Sequence, residues 1–168
     1  MLFRSTLVDG GKTLIRVSDN GSGIHPIDMP LAVQAHATSK LSSIDDLYRI
    51  GSFGFRGEAL SSICHVAKVT VKSKVAGQDP FQCSAHLDQC SDPKHTAHAN
   101  GTTIEVHDLF FDLPVRQKFL KSSGTETAHV TSWVTQLALC HPAISFTLTA
   151  NQKTIIQTQG VSSLRSEE

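Results

Sequence analysis

Residues 58–88 read "EALSSICHVAKVTVKSKVAGQDPFQCSAHLD", and the hydrophobic period changes partway along them. Residues 58–64 read as a helix. From there the period is two: Val69, Val71 and Val75 alternate with Lys68, Thr70, Lys72 and Lys74, so one face is buried and the other solvated. Phe81, Cys83, Ala85 and Leu87 alternate in the same way with Gln82, Ser84, His86 and Asp88, and "AGQDP" lies between the two runs. A helix that feeds a hairpin points to an α+β chain, a sheet with helices on one face.

Working outward, the same grammar repeats. "FRSTLV" and "TLIRVS" flank Asp9-Gly10-Gly11-Lys12, a hairpin-turn signal, so the chain opens inside a sheet. A short helix is expected over 28–35, with Asp28 as N-cap and Pro30 in its first turn. "SSIDDLYRI" places Ser43 and Asp46 at capping-box spacing ahead of Leu47 and Ile50. Downstream, a polar loop precedes the strand "GTTIEVHDL", and "DLPVRQKFLKS" reads as a short helix opened by Asp112 and Pro114. Over 125–140, Val130, Trp133, Val134, Leu137 and Ala138 recur at helical spacing and are expected in the core, before Pro142 stops the run. "ISFTLT" and "TIIQT" flank residues 151–153 as a last hairpin.

The 168 residues suit one domain, and 15 basic against 15 acidic side chains give no overall pull toward nucleic acid or membrane. No apolar run reaches the roughly 18 residues of a membrane span. The four cysteines, Cys64, Cys83, Cys90 and Cys140, have no framework spacing and are expected as free thiols of a soluble intracellular domain. Cys83, His86, Cys90, His95 and His98 raise the possibility of zinc, but Cys83 and His86 fall on opposite faces of one strand and no metal site is expected.

Four short motifs carry the chemistry. "DNGSG" follows a strand: an ionised Asp19 only accepts hydrogen bonds and suits the exocyclic amine of adenine, while Gly21 and Gly23 let a flat base and sugar approach the backbone. An Asx-turn leaving the sheet accounts for the same residues. "HATSK" offers Thr38, Ser39 and Lys40, hydroxyls and a point charge suited to phosphate, or a plain interhelical loop. "GFRGEAL" combines Gly54 and Gly57 with a helix start, which suits an anion, and Arg56 adds charge or orients Glu58. Thr102 of "GTT" places a hydroxyl in a pocket wall or is simply a β-branched strand residue. Arg116, Lys118 and Lys121 form a small basic cluster, a DNA-phosphate contact or a solvated face.

In order and spacing, "RVSDNGSGI", "HATSKL", "GFRGEALSSI", "GTT" and "LPVRQKFL" resemble the N-terminal ATPase domain of the MutL family of DNA mismatch repair proteins, within the GHKL superfamily that includes gyrase B and histidine kinases. The wording is more bacterial than eukaryotic. The resemblance implies a two-layer α/β sandwich with a mixed sheet and helices on one face, residues 1–160 forming part of the ATP-binding domain and 161–168 a tail. It implies ATP as ligand, Asp19 on adenine, Gly21 and Gly23 along base and ribose, and Thr102 near the base. Thr38, Ser39 and Lys40 would belong to a lid. Gly54, Phe55, Arg56, Gly57, Glu58, Ala59 and Leu60 would wrap the triphosphate.

The departure is at the front. Family members begin with a helix carrying a Glu that activates water and an Asn that holds Mg²⁺, and no E-x-x-x-N pair stands ahead of Asp19. The chain is therefore expected to lack the catalytic Glu and the Mg²⁺ ligand, to hydrolyse ATP negligibly and to bind it weakly. Two functions follow: an ATP-driven switch between a MutS-type mismatch sensor and a downstream nuclease or helicase, with weak DNA contact and homodimer formation in the parent protein, or a non-catalytic truncated chain that acts only as an interaction module or has no function. A histidine kinase is disfavoured, because no phosphoacceptor-helix segment is present. The expected location is cytoplasmic in a bacterium and nuclear in a eukaryote, with no membrane partner.

Overall fold

The computed structural model describes residues 1–34, 58–87 and 89–161. Its strands are β1 (Leu2–Val8), β2 (Leu14–Asp19), β3 (Lys68–Lys74), β4 (Phe81–His86), β5 (Gln89–Cys90), β6 (Lys94–His95), β7 (Gly101–His107), β8 (Ser145–Ala150) and β9 (Lys153–Gln157). They form one mixed sheet in the order β5-β4-β3-β7-β2-β1-β8-β9, with β6 paired to β4. β1 and β8 run parallel, and the other pairs are antiparallel. The helices are α1 (Met29–Ala32), α2 (Ala59–Cys64), α3 (Pro114–Phe119) and α4 (Ser123–Cys140).

Strand register sorts the side chains into two faces. Ile15, Val106 and Val69 pair across β2, β7 and β3 and share one face, whereas Arg16, Glu105 and Thr70 share the other. The apolar face carries two cores. Met29, Val33 and Cys64 pack with Val69, Val71 and Cys83 in the first. Val134 of α4 packs with Leu7, Phe146 and Leu148 in the second, and half-buried Ile15 touches both. Helices on one face of a mixed sheet match the expected α+β class.

The polar face is held by a buried carboxylate. Glu105 is 6% exposed and receives Arg16 Nε at 2.8 Å and Lys72 Nζ at 3.2 Å, with His107 Nε2 at 3.5 Å. Burial alone would raise its pKa, but Lys72 and Arg16 outweigh that and hold it below the ordinary value.

Several local expectations change. The segment 42–50 lies outside the described residues. α1 spans only four residues, and Asp28 makes no side-chain cap bond. α3 is capped at Leu113, not Asp112, and the Asp112 carboxylate lies 3.6 Å from His86 Nε2. The polar loop before β7 contains β5 and β6, two-residue strands too short to show a period. α4 starts at Ser123 and is capped by Ser122, whose Oγ accepts from Thr125 N. Within it Val134 is buried and Val130 and Ala138 pack beside it, but Trp133 is 68% exposed and Leu137 40%. The helical spacing was right, but the inward stripe is narrower than five residues, because a helix on a flat sheet buries only the side facing it.

Cys64 and Cys83 are buried, Cys90 half-buried and Cys140 exposed, all as free thiols. Burial, with Cys90 close by, pushes the Cys64 thiol up to about 11 and Cys83 to about 12. Cys83 is inward on β4, as its register predicts. No helix of the described residues is long and apolar enough to cross a membrane.

Candidate functional site

β2 ends at Asp19, and the next five residues turn back across the end of the sheet. Asp19 Oδ1 accepts the Gly21 N–H at 2.8 Å, an Asx-turn that fixes the carboxylate while Oδ2 has no partner among the described residues. Asn20 Oδ1 accepts the Leu2 N–H at 2.8 Å and ties the loop to β1.

Two glycines make this turn possible. Gly23 has φ +79°, and a Cβ there would stand 2.6 Å from the carbonyl carbon of Lys74. Gly101 has φ +114°, and a Cβ there would stand 2.8 Å from Asn20 Cα. Both positions therefore exclude a side chain, by conformation and by space. The loop after Asp19 is thus clamped between the end of β3 and the start of β7.

A hydroxyl closes the clamp. Ser73 of β3 is 1% exposed; its Oγ accepts the Ile24 N–H at 2.8 Å and lies 3.0 Å from Gly101 O and 2.9 Å from Thr102 Oγ1. Register sets these groups side by side: Phe3 pairs with Asp19, Ser18 with Thr103, and Ser73 with Thr102. One further step of the β2–β7 register puts Asp19 beside Thr102, on the face that the helices cover. Asp19, Gly21, Gly23 and Thr102 therefore form one constellation, although 83 residues of sequence separate the first from the last.

The helix start is linked to this loop by packing. Ile24, directly after the loop, and Leu60 of α2 pack against the same core cluster. Leu60 therefore offers a backbone group at most, while Glu58 and Ala59 are exposed. The Ser61 and Ser62 hydroxyls donate to Glu58 O at 3.0 and 2.8 Å and tighten that turn. Thr38, Ser39, Lys40, Gly54, Phe55, Arg56 and Gly57 lie outside the described residues. Arg116 and Lys118 project from α3, the Arg116 guanidinium 6.0 Å from the Phe110 ring centre. Lys121 follows the helix, so the three cations do not share one element.

Ser73 is the residue that sequence reasoning passed over. Its signal was present: in Val69-x-Val71-x-Ser73 a hydroxyl occupies an inward slot of an alternating strand. A buried polar group there requires partners, and the partners are the site.

No family model matches the chain. Among curated proteins, the DNA mismatch repair protein MutL of Neisseria meningitidis serogroup A (strain Z2491) is 48% identical over 149 residues, covering 88% of this chain and 23% of its own length. MutL of Shewanella sp. (strain MR-4) is 49% identical over 148 residues, covering 87% and 23%. The chain thus spans about a quarter of the length of these relatives. Among solved structures, the Aquifex aeolicus MutL ATPase domain complexed with ADP superposes with a TM-score of 0.74 at 30% identity, over 96% of this chain and 57% of that one. The N-terminal domain of a DNA repair protein gives 0.78 at 29% identity, over 98% and 49%. The clamped Asp19 loop thus sits in a sheet whose sequence and topology both match one group of proteins, and the chain belongs to the MutL family of DNA mismatch repair proteins, corresponding to part of their N-terminal ATPase domain.

Proposed function

We propose that this chain binds the adenine and ribose of ATP at the end of β2, as part of an ATP-dependent switch in DNA mismatch repair. The observation that carries the reading is the clamped Asp19 loop. One carboxylate oxygen is held by Gly21 and the other has no partner among the described residues, beside Thr102 and between two glycines that admit no side chain. An acceptor fixed in this way suits the 6-amino group of adenine, and charge-assisted bonds of this kind are the stronger ones. Gly21 and Gly23 would lie along the base and ribose. Residues 54–60 would wrap the phosphates, and Thr38, Ser39 and Lys40 would close over them.

In the longer proteins of the family, the proposed switch joins a MutS-type mismatch sensor to a nuclease or helicase, with pairing of N-terminal domains. Arg116, Lys118 and Lys121, all exposed, are the proposed DNA-phosphate contacts. Mg²⁺ would accompany the triphosphate. Among the described residues no group of three His, Cys, Asp or Glu side chains is placed to hold a metal ion. The activity proposed for this chain is nucleotide binding.

Equilibrium binding of ADP to the chain and to Asp19→Asn tests the reading. The substitution turns one oxygen into a donor and removes the charge, and an affinity loss of about tenfold or more is expected. Equal affinities of the two chains would refute the assignment of Asp19.

A further inference from the structure

The hydrogen bonds behind the Asp19 loop have a polarity that can be worked out by counting protons. Ser73 Oγ has one proton and two lone pairs. The Ile24 N–H, 2.8 Å away, is a donor only and occupies one lone pair. Gly101 O, 3.0 Å away, is an acceptor only and takes the Ser73 proton. Thr102 Oγ1, 2.9 Å away, can then complete its bond only by donating its own proton to the remaining lone pair of Ser73. All three bonds exist together in this one arrangement. Ser73 is 1% and Thr102 7% exposed, so neither bond is readily replaced by water.

The consequence reaches the site. With its proton committed to Ser73, Thr102 Oγ1 has only acceptor capacity left. Its neighbour Asp19 is an acceptor as well, with Oδ1 engaged by the Gly21 N–H. We propose that Ser73 is a positioning residue that pins the Asp19 loop through Ile24 and sets the sense of the Thr102 hydroxyl, so that this end of the pocket presents acceptors only and selects an adenine over a guanine nucleotide. Adenine carries an amine at the relevant position and guanine a carbonyl oxygen. A carbonyl facing two acceptors is left without a donor, which costs more than a missing contact. The inference rests on the nucleotide reading proposed for Asp19 and adds a residue that itself touches no ligand.

The test combines base discrimination with exchange of one amide. Affinities for ADP and GDP are measured on the full chain, on Ser73→Ala, on Thr102→Val and on the double variant. Amide exchange at Ile24 is followed without nucleotide. Ser73→Ala is expected to weaken ADP about tenfold and to narrow the ADP-to-GDP ratio by about tenfold, because Thr102 is then free to donate. The double variant should narrow the ratio no further than Thr102→Val, as expected if Ser73 acts through Thr102. Ile24 exchange should accelerate in Ser73→Ala while the β3 amides of Val69 and Val71 stay protected. Ser73→Cys, similar in volume but a weak acceptor, carries the same expectations if the alanine chain does not fold. An unchanged ratio, or unchanged Ile24 exchange, overturns the proposal. If the unaltered chain binds neither nucleotide, the reading of the site fails, and unchanged Ile24 exchange would then overturn the pin as well.

Discussion

Gly23→Ala separates the cost of a backbone conformation from the cost of a collision, and Gly77→Ala provides the reference. Gly23 and Gly77 have nearly the same φ, +79° and +77°. A Cβ at Gly77 meets nothing within 4 Å, whereas at Gly23 it stands 2.6 Å from the Lys74 carbonyl carbon and 3.0 Å from Val75 N. The left-handed conformation costs an L-residue about 1–2 kcal/mol. Reduced freedom of the unfolded chain returns about 0.4–1 kcal/mol. Gly77→Ala should therefore destabilise by about 0–1.5 kcal/mol. At Gly23 the obstacle is backbone, which does not rotate away. The loop must lift off β3, and the bond from Ile24 N to Ser73 Oγ, 2.8 Å long, is then strained or lost. An unmade buried bond adds about 1–3 kcal/mol to the conformational cost, for a total of about 1–4.5 kcal/mol. Urea unfolding of both variants and of the unaltered chain gives the comparison, with ADP binding as a second readout. Gly23→Ala should lose affinity for ADP and Gly77→Ala should not. Equal midpoints for the two variants would show that the Asp19 loop is not clamped against β3.

Two further outcomes follow from burial and charge. Glu105 titrates below its unfolded value of about 4.3. Its stabilisation is therefore complete above that pH and is lost as pH falls through the folded value. Glu105→Gln should cost about 1–3 kcal/mol at pH 7, less than a fully buried pair because Arg16 and Lys72 are 43% and 29% exposed. Urea midpoints of the two chains should converge as the pH is lowered below 4, and a gap that persists unchanged would refute the ion-pair account. On α4, Trp133→Gln should shift stability by no more than about 0.5 kcal/mol. Val134→Ala, one position along, should cost about 2 kcal/mol by the same urea assay. The reverse order would mean that the helix is turned the other way.

The legible parts of the chain were those whose signal is local. The alternations became β3 and β4, except that Val75 and Leu87 fall beyond the strand ends and Leu87 is exposed, and the Asp9–Lys12 turn joined β1 to β2 as expected. The positions of α2, α3 and α4 were likewise readable, down to the start of α2 beside Glu58, whereas α1 is shorter than its signal. β5 and β6 were not, because a two-residue strand has no period and exists only through its partner β4. The inward side of α4 was only partly readable. Periodicity gives a direction around the helix, and the sheet beneath it sets how wide a stripe is buried.

The site divides along the same line. Asp19, Gly21 and Gly23 were visible as a motif because their chemistry follows from residue type over five positions. The sequence by itself also determined the α+β class and the family, since the order and wording of the motifs are specific. Only the tertiary structure decided which groups stand behind the motif. Ser73 and Gly101 meet the Asp19 loop because β3, β7 and β2 are adjacent in one register. Strand order and register come from non-local pairing, in which many weak side-chain preferences act together, and no short window of sequence contains that sum.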